Sequence, residues 1–246
     1  MNIRSIAVLL LFMGCSVPKE SAVQNLTFSS QEILTKSCEE ENCAKVEITY
    51  PEASPTEAGN KINIALRSRL MAYFRQDTTY ADLETAAEDY IKGYNEFKAD
   101  FPDAPGAWAV EIKVENTYES DSLISFKFSE YNFSGGAHPN SSINFINFDK
   151  SSGNILSVEK FVLDQQKLLE KVKKKFREHH QVPEGTLLTE DPRFFLPETG
   201  FFLPNAMGYE GDKFRVIYIP YEIGPYALGY TELSFELDDL DGIVKK

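Results

Sequence analysis

Three consecutive segments in the middle of the chain alternate apolar and polar residues with a period of two, and this pattern constrains the fold most. The segments are "WAVEIKVENTYES" (108–120), "SLISFKFSEYNF" (122–133) and "SINFINFDK" (142–150). Successive side chains of a strand point to opposite faces, so this period predicts strands with one buried face. Short connections between them predict an antiparallel meander. The fold must therefore place apolar residues against one face of this sheet.

Apolar residues at helical spacing lie on both sides of the meander and supply that cover. Ser54 is predicted to cap a first helix as part of a capping box. A second helix is predicted to start near Thr79 and to end before "FPDAPG", because proline cannot continue a helix. A third helix is predicted over 164–180, capped by Asp164.

These elements together predict an α+β fold in which helices pack on antiparallel sheet in two lobes. Two strands are predicted ahead of the first helix, in "NLTFSSQEI" and "CAKVEITYPEA", and two close the chain, in "KFRVIYIPY" and "YTELSFEL". The predicted division is a leader over 1–14, a tether over 15–25, a first domain over 26–133 and a second domain over 134–246.

The first residues, "MNIRSIAVLLLFMGC", are typical of a short secretory signal. Their apolar run is too short to span a bilayer as a stable helix. "LFMGC" resembles a bacterial lipoprotein signal box, which implies cleavage before Cys15 and a diacylglyceryl group on its sulfur. The protein is then expected to be exported and held by lipid at the cell envelope, in the periplasm or at the outer membrane. The alternative is a simple signal peptide with an incidental cysteine.

The other two cysteines, Cys38 and Cys43, are separated by "EEEN". An exported protein meets an oxidising compartment, so a disulfide between them is the first interpretation. A zinc site is the alternative, but two cysteines alone do not complete a tetrahedral ligand set. No metal site and no cofactor are predicted.

The chain is strongly acidic, with 25 Lys and Arg against 38 Asp and Glu and a formal net charge of −13. Such a surface repels phosphates, so a nucleic acid is not an expected partner. It suits a basic partner, although excess charge also serves solubility.

Two stretches carry a family resemblance, "YNFSGGAHPNSSINFINFDKSSGNILSVEKF" and "YIPYEIGPYALGYTELSF". They resemble motifs of the domain of unknown function in the outer part of the anti-sigma factor RsiV. A domain of the kind found at the N-terminus of the peptidoglycan deacetylase PdaC usually precedes it. The resemblance covers about residues 26 to 246 and implies two α+β lobes, the second similar to a small lobe of the heat-shock-cognate ATPase.

The same resemblance implies a binding module, because the RsiV ectodomain binds lysozyme as a signal. The short segment ahead of the apolar run leaves no room for a cytoplasmic sigma-binding part, and no deacetylase domain follows. Neither anti-sigma activity nor deacetylation is therefore expected.

Two loops hold the candidate ligand-binding residues. The first is "SGGAHPN" (134–140), with Gly135, Gly136 and His138. One interpretation is a simple turn with His138 hydrogen-bonded to backbone; the other is an imidazole that faces a ligand from a loop at the rim of the strands.

The second loop is "IGPYALGY" (223–230), in which Tyr226 and Tyr230 join the nearby Tyr221. If the strand ends are neighbours, these tyrosines form a shared rim with His138. Aromatic residues are good anchors for a protein or a sugar, but they also shape cores.

A hydrolase is the competing hypothesis. It would need a nucleophile, a base and an orienting group in register, and His138 has serines nearby and Asp149 one strand away. No nucleophile-elbow motif occurs, and His179 and His180 are adjacent helical residues that point in different directions.

The sequence therefore predicts a non-catalytic binding module on an envelope lipoprotein. The expected partner is a lysozyme-like basic protein or a cell-wall component such as peptidoglycan. The alternatives are a cell-wall-active hydrolase or glycan-processing enzyme, and a structural envelope lipoprotein.

Overall fold

The computed structural model describes residues 26–39, 43–74 and 79–246, so the predicted leader, the tether and Cys15 lie outside it. The strands are β1 (Phe28–Lys36), β2 (Lys45–Ala53), β3 (Ala109–Glu119), β4 (Leu123–Phe133), β5 (Asn140–Asp149), β6 (Ala206–Glu210), β7 (Lys213–Tyr218) and β8 (Thr231–Glu236). The helices are α1 (Glu57–Phe74), α2 (Leu83–Asp100), α3 (Val158–Phe161) and α4 (Gln165–His179), with 3-10 turns at Leu188–Glu190, Tyr226–Leu228 and Leu237–Leu240. The predicted α+β class is confirmed.

The first sheet has the strand order β1-β2-β3-β4-β5. Strands β3, β4 and β5 pair antiparallel in sequence order, so the predicted meander is confirmed. Strand β2 pairs parallel with β3, because the connection between them contains α1 and α2. Cys38 and Cys43 form the predicted disulfide in the β1–β2 connection, with their Cα atoms 5.4 Å apart.

Helices α1 and α2 cover one face of the first sheet and bury the apolar residues of its alternating strands. The predicted N-cap of α1 and the predicted start of α2 were wrong. The side chain of Thr56, not Ser54, accepts the Gly59 N–H at 2.9 Å and caps α1. Helix α2 begins four residues after Thr79, because the Asp82 side chain accepts the Thr85 N–H at 2.8 Å and supplies the cap.

The second sheet has the order β6-β7-β8, and all of its pairs are antiparallel. Helix α4 packs on it with the stripe Leu168, Val172 and Phe176, which are fully buried. Asp164 caps α4 as predicted, accepting the Lys167 N–H at 3.0 Å. No helix in the described ranges is both long and apolar enough to cross a membrane.

Strand β6 lies against the face of β4 and β5 that the helices leave open. The Ser125 hydroxyl accepts the Tyr209 N–H at 3.1 Å, and the Asn147 side-chain amide donates to the Met207 carbonyl at 3.1 Å. Both side chains are buried, and the contact pairs the Ser125 hydroxyl and the Asn147 side-chain N–H with backbone groups. The first sheet includes β5 and so extends past the boundary predicted at 133/134, which falls between two paired strands.

Candidate functional site

The loop between β4 and β5 exposes the first candidate residues. Gly135 and Gly136 adopt φ angles of 98° and 99°, which side-chain-bearing residues rarely adopt. A Cβ added to either glycine would meet no atom within 4 Å, so backbone conformation and not close packing explains the pair. His138 is exposed at the end of this loop, and its Nδ1 lies 3.0 Å from the Pro139 carbonyl oxygen.

The loop between β7 and β8 reaches the His138 loop, which answers the question that the sequence leaves open. The Tyr226 ring stacks on the His138 imidazole with centroids 4.0 Å apart and planes 16° apart. The Tyr226 hydroxyl donates to the Pro139 carbonyl at 3.3 Å. The Tyr221 hydroxyl lies 3.4 Å from His138 Nε2, and its ring is 5.6 Å from that of Tyr226. Residues of both loops therefore form one cluster.

Tyr230 extends the cluster toward the sheet. Its hydroxyl donates to the Ser141 hydroxyl at 2.9 Å, and burial raises its pKa. We call His138, Tyr221, Tyr226 and Tyr230 together the aromatic surface. All six residues predicted for ligand binding, these four with Gly135 and Gly136, lie in the two contacting loops or directly beside them.

Tyr221 combines strain with exposure. Its φ of 70° lies in the left-handed region, where a bulky residue is unusual. Its side chain is nevertheless 58% exposed, so no burial offsets this conformation. Strained backbone concentrates at functional sites, and this supports a role for the ring that Tyr221 presents to solvent.

A groove of about 530 Å³ lies on the open face of the first sheet, and Tyr230 is one of its lining residues. Four glutamates line it, from β2, β3, β4 and β8: Glu47, Glu111, Glu130 and Glu232. Among the described residues, Lys113 is the single cation in this lining. The groove was not predicted from the sequence, although the alternation of β2 and β3 places Glu47, Glu111 and Lys113 opposite the buried face.

Cations at the margins hold these glutamates in place. Lys45 Nζ is 2.6 Å from Glu111 and 3.5 Å from Glu47, and its hydrogen bond to Glu111 raises the Lys45 pKa. Arg215 pairs with Glu232 at 2.6 Å. Glu130 pairs with Arg69 of α1, so each of the four glutamates in the lining has a cationic partner.

The groups proposed for hydrolysis are not assembled. Residues 140 and 149 lie at opposite ends of the β4–β5 ladder, so the length of β5, about 30 Å at the usual rise per residue, separates Asp149 from the His138 loop. Asp149 instead accepts hydrogen bonds from Ser151 and Ser152, which lower its pKa. In the described part of the chain, no group of three or more His, Cys, Asp or Glu side chains could hold a metal ion.

The other two histidines lie at the end of α4. The imidazole of His180 is hydrogen-bonded to the Thr231 hydroxyl at 2.8 Å, and its ring packs on Phe176. Burial, with smaller contributions from His179 and Arg193, lowers the pKa of His180 to about 4. His180 is therefore a neutral packing residue at physiological pH.

Comparison with solved structures identifies the architecture. A protein described as a DUF3298 family protein from Pseudomonas aeruginosa PAO1 is 22% identical, with a TM-score of 0.60 over 90% of this chain and 94% of its own. A member of the same family from Bacteroides fragilis NCTC 9343 is 14% identical, with a TM-score of 0.70 over 91% of this chain and 95% of its own. The chain has the DUF3298 fold.

A sequence match covers the first part of that DUF3298 fold. Residues 37–141 match the family described as "Deacetylase PdaC", from the connection that follows β1 to the start of β5. The predicted PdaC resemblance is thereby confirmed for this segment. No curated protein matches the sequence.

Proposed function

We propose that this chain is a cell-envelope lipoprotein whose exported domain binds a lysozyme-like basic protein through the aromatic surface, without catalysing a reaction. The observation that carries the proposal is the contact between the two loops, which gathers His138 and three tyrosines into one surface. Tyrosines that expose a ring edge and a hydroxyl supply large, rigid contact area to a protein partner.

The electrostatics support a basic partner. Tyr230 is also among the residues that line the groove with its four ion-paired glutamates, so charged side chains adjoin the aromatic surface. The net charge of −13 gives the whole domain a negative field, which attracts a cationic protein and speeds its association. Resemblance to the outer domain of RsiV, which binds lysozyme, favours the same class of partner.

A cell-wall component is the second ligand within the same proposal. Peptidoglycan carries sugar rings that stack on tyrosine and histidine faces, and the stacked pair His138–Tyr226 leaves Tyr221 exposed beside it. The catalytic alternative receives no support from the geometry of His138 and Asp149. A structural role without a ligand would leave the strained, exposed Tyr221 unexplained.

Export and lipid anchoring on Cys15 are part of the proposal. The disulfide between Cys38 and Cys43 supports an oxidising compartment, where such bonds persist. The test is fractionation of cells that make the wild type or Cys15→Ser. We expect the wild type in the membrane fraction with incorporated fatty acid, and the variant without fatty acid in the soluble fraction. Equal partition of both proteins would contradict the anchor.

Partner binding is tested by titration calorimetry of residues 16–246 with a basic muramidase at low and moderate salt. We expect saturable one-to-one binding that weakens as salt rises, because exposed charges are screened. Tyr226→Ala should weaken binding by about 30-fold, the size of a typical hot-spot loss. Ile64→Ala removes a large, 66% exposed apolar side chain from α1 and should leave binding unchanged.

The outcomes separate the hypotheses. No heat at either salt with the muramidase, but binding of peptidoglycan fragments that Tyr226→Ala removes, would move the ligand to the cell wall. Turnover of those fragments that His138→Ala abolishes would favour the hydrolase. No binding of either ligand would refute the proposed binding module.

A further inference from the structure

A second cavity lies on the opposite, helix-covered face of the first sheet. It has a volume of about 500 Å³, is partly open to solvent, and is lined by residues from α1, from α2 and the segment before it, and from the adjoining ends of β3 and β4. This volume falls in the range of small-molecule sites. None of the four residues of the aromatic surface lines it, so it is a separate candidate site.

Aromatic rings form the walls of this cavity. Tyr73, Phe74, Tyr80, Tyr90 and Trp108 all line it. Their planes meet at steep angles: 69° between Tyr73 and Phe74, 79° between Phe74 and Tyr90, and 54° between Tyr90 and Trp108. These are edge-to-face and tilted contacts that hold the rings against one another, and all five residues border the same cavity.

The charge of the lining is negative. Asp89 is the only charged side chain among the described residues that line the cavity. The Tyr80 hydroxyl donates to its Oδ2 at 2.7 Å, which fixes the carboxylate against the aromatic wall. Burial raises the pKa of both Tyr73 and Tyr90, so these walls stay neutral at physiological pH.

Gly93 lines the same cavity from the middle of α2. Glycine is the least favourable residue in a helix interior after proline. Packing does not require it here, because the nearest contact of an added Cβ would be Cζ3 of Trp108 at 4.0 Å. What the missing side chain provides is open space beside the Trp108 ring.

We propose that this cavity binds a small organic ammonium ion, held between the aromatic walls and the Asp89 carboxylate. The faces of tryptophan and tyrosine attract a cation most strongly where it is shielded from water. A fixed carboxylate at the wall adds an ion pair, and Gly93 leaves the room that a substituted ammonium group needs. This proposal does not depend on the function proposed for the aromatic surface.

The test compares two ligands of equal shape. Choline and 3,3-dimethyl-1-butanol differ in that a neutral carbon replaces the charged nitrogen, and each is titrated against the full chain by calorimetry. We expect choline to bind at least about 10-fold more tightly than the neutral alcohol, because a shielded cation–π contact is worth about that much. Equal affinity of the two ligands would overturn the proposal. So would the absence of choline binding when choline is in about 50-fold excess over protein at millimolar concentration.

Variants locate the site. Asp89→Asn keeps the shape of an exposed side chain and should weaken choline binding about 5- to 10-fold, while leaving binding of the neutral alcohol unchanged. Gly93→Leu should abolish binding by filling the cavity. Asn95→Leu is its matched control, because it places the same side chain at an exposed position of α2 outside the cavity lining, and it should bind choline as the wild type does.

Folding is checked by circular dichroism so that each result is decisive. Wild-type choline affinity in a folded Gly93→Leu protein would overturn the proposal. If that variant does not fold, the Asp89→Asn comparison decides by itself, since equal choline affinity in Asp89→Asn and wild type would equally overturn it. Binding of a neutral sugar in preference to choline would assign the cavity to a different class of ligand.

Discussion

Gly208 in β6 allows the second sheet to lie against the first, and its replacement by alanine should separate them. A Cβ at this position would lie 2.3 Å from both Cγ and Cδ1 of Phe145 and 2.6 Å from its Cβ. These distances fall about 1 Å short of the 3.4 Å at which ordinary contact begins. Phe145 is buried, and because its own Cβ is involved, rotation of the ring cannot relieve the clash.

The expected cost of Gly208→Ala is about 2 kcal/mol. Overpacking a core costs roughly 1–3 kcal/mol, and contacts as short as 2.3 Å place this change at the upper end of that range. Removing glycine from a strand returns about 0.5–1 kcal/mol, which leaves a net cost of about 2 kcal/mol. For a chain of this size, that loss lowers the melting temperature by about 4–8 °C. The assay is urea unfolding followed by circular dichroism, with Gly93→Ala as the matched control that is expected to gain up to about 1 kcal/mol.

A double-mutant cycle tests the cause. In Phe145→Ala the ring contacts at 2.3 Å are gone and only the Cβ contact at 2.6 Å remains, so Gly208→Ala should cost at least about 1 kcal/mol less in that background. Strict additivity of the two substitutions, or a Gly208→Ala protein as stable as wild type, would refute the reasoning.

Three further changes have expected outcomes. Tyr221→Gly removes the cost of a left-handed tyrosine, about 1–2 kcal/mol, but it also loses the contacts of the ring. The free energy of unfolding in urea should therefore change by less than about 1 kcal/mol, while muramidase binding weakens. A loss of stability above about 2 kcal/mol would argue for a packing role. Replacing both Cys38 and Cys43 by serine opens a short loop and should cost about 2 kcal/mol in thermal unfolding; an unchanged midpoint of the reduced wild type would contradict this. Burial lowers the pKa of His180 from 6.5 to about 4, so the unfolded chain binds the proton first as the pH falls. The contribution of His180 to the free energy of unfolding is therefore fully present above about pH 6.5 and declines toward pH 4, by about 1–2 kcal/mol at pH 5. His180→Gln should flatten that decline in urea titrations at pH 7 and pH 5, and an equally steep decline in the variant would exclude His180 as its source.

Much of the first sheet was predictable because its strands are joined by short connections. The alternation in β3, β4 and β5 identifies both the strands and the buried face, and each strand pairs with its neighbour in sequence. The residues that cap α1 and α2 could not be predicted as well as the strands. Several Ser, Thr and Asp residues precede each helix, and which one caps depends on where the chain leaves the preceding strand or loop.

The two loops of the candidate site could be predicted from the sequence, but the contact between them could not. Glycine pairs, proline and exposed aromatics identify each loop by composition. Their contact joins residues 83 to 89 positions apart, and it depends on β6 lying across β4 and β5. No local pattern encodes that crossing, and the same holds for the cavity beside Gly93. The likeness of the second lobe to a small lobe of the heat-shock-cognate ATPase stays a prediction.

The most direct test of the central claim is the NMR signal of the His138 imidazole during titration with a basic muramidase. The chain has three histidines, so His138→Gln identifies the signal by its loss. If the two loops form the binding surface, the His138 signal shifts saturably at one equivalent, while the signal of His179, exposed at the end of α4, does not. Binding in calorimetry with an unmoved His138 signal would contradict the account.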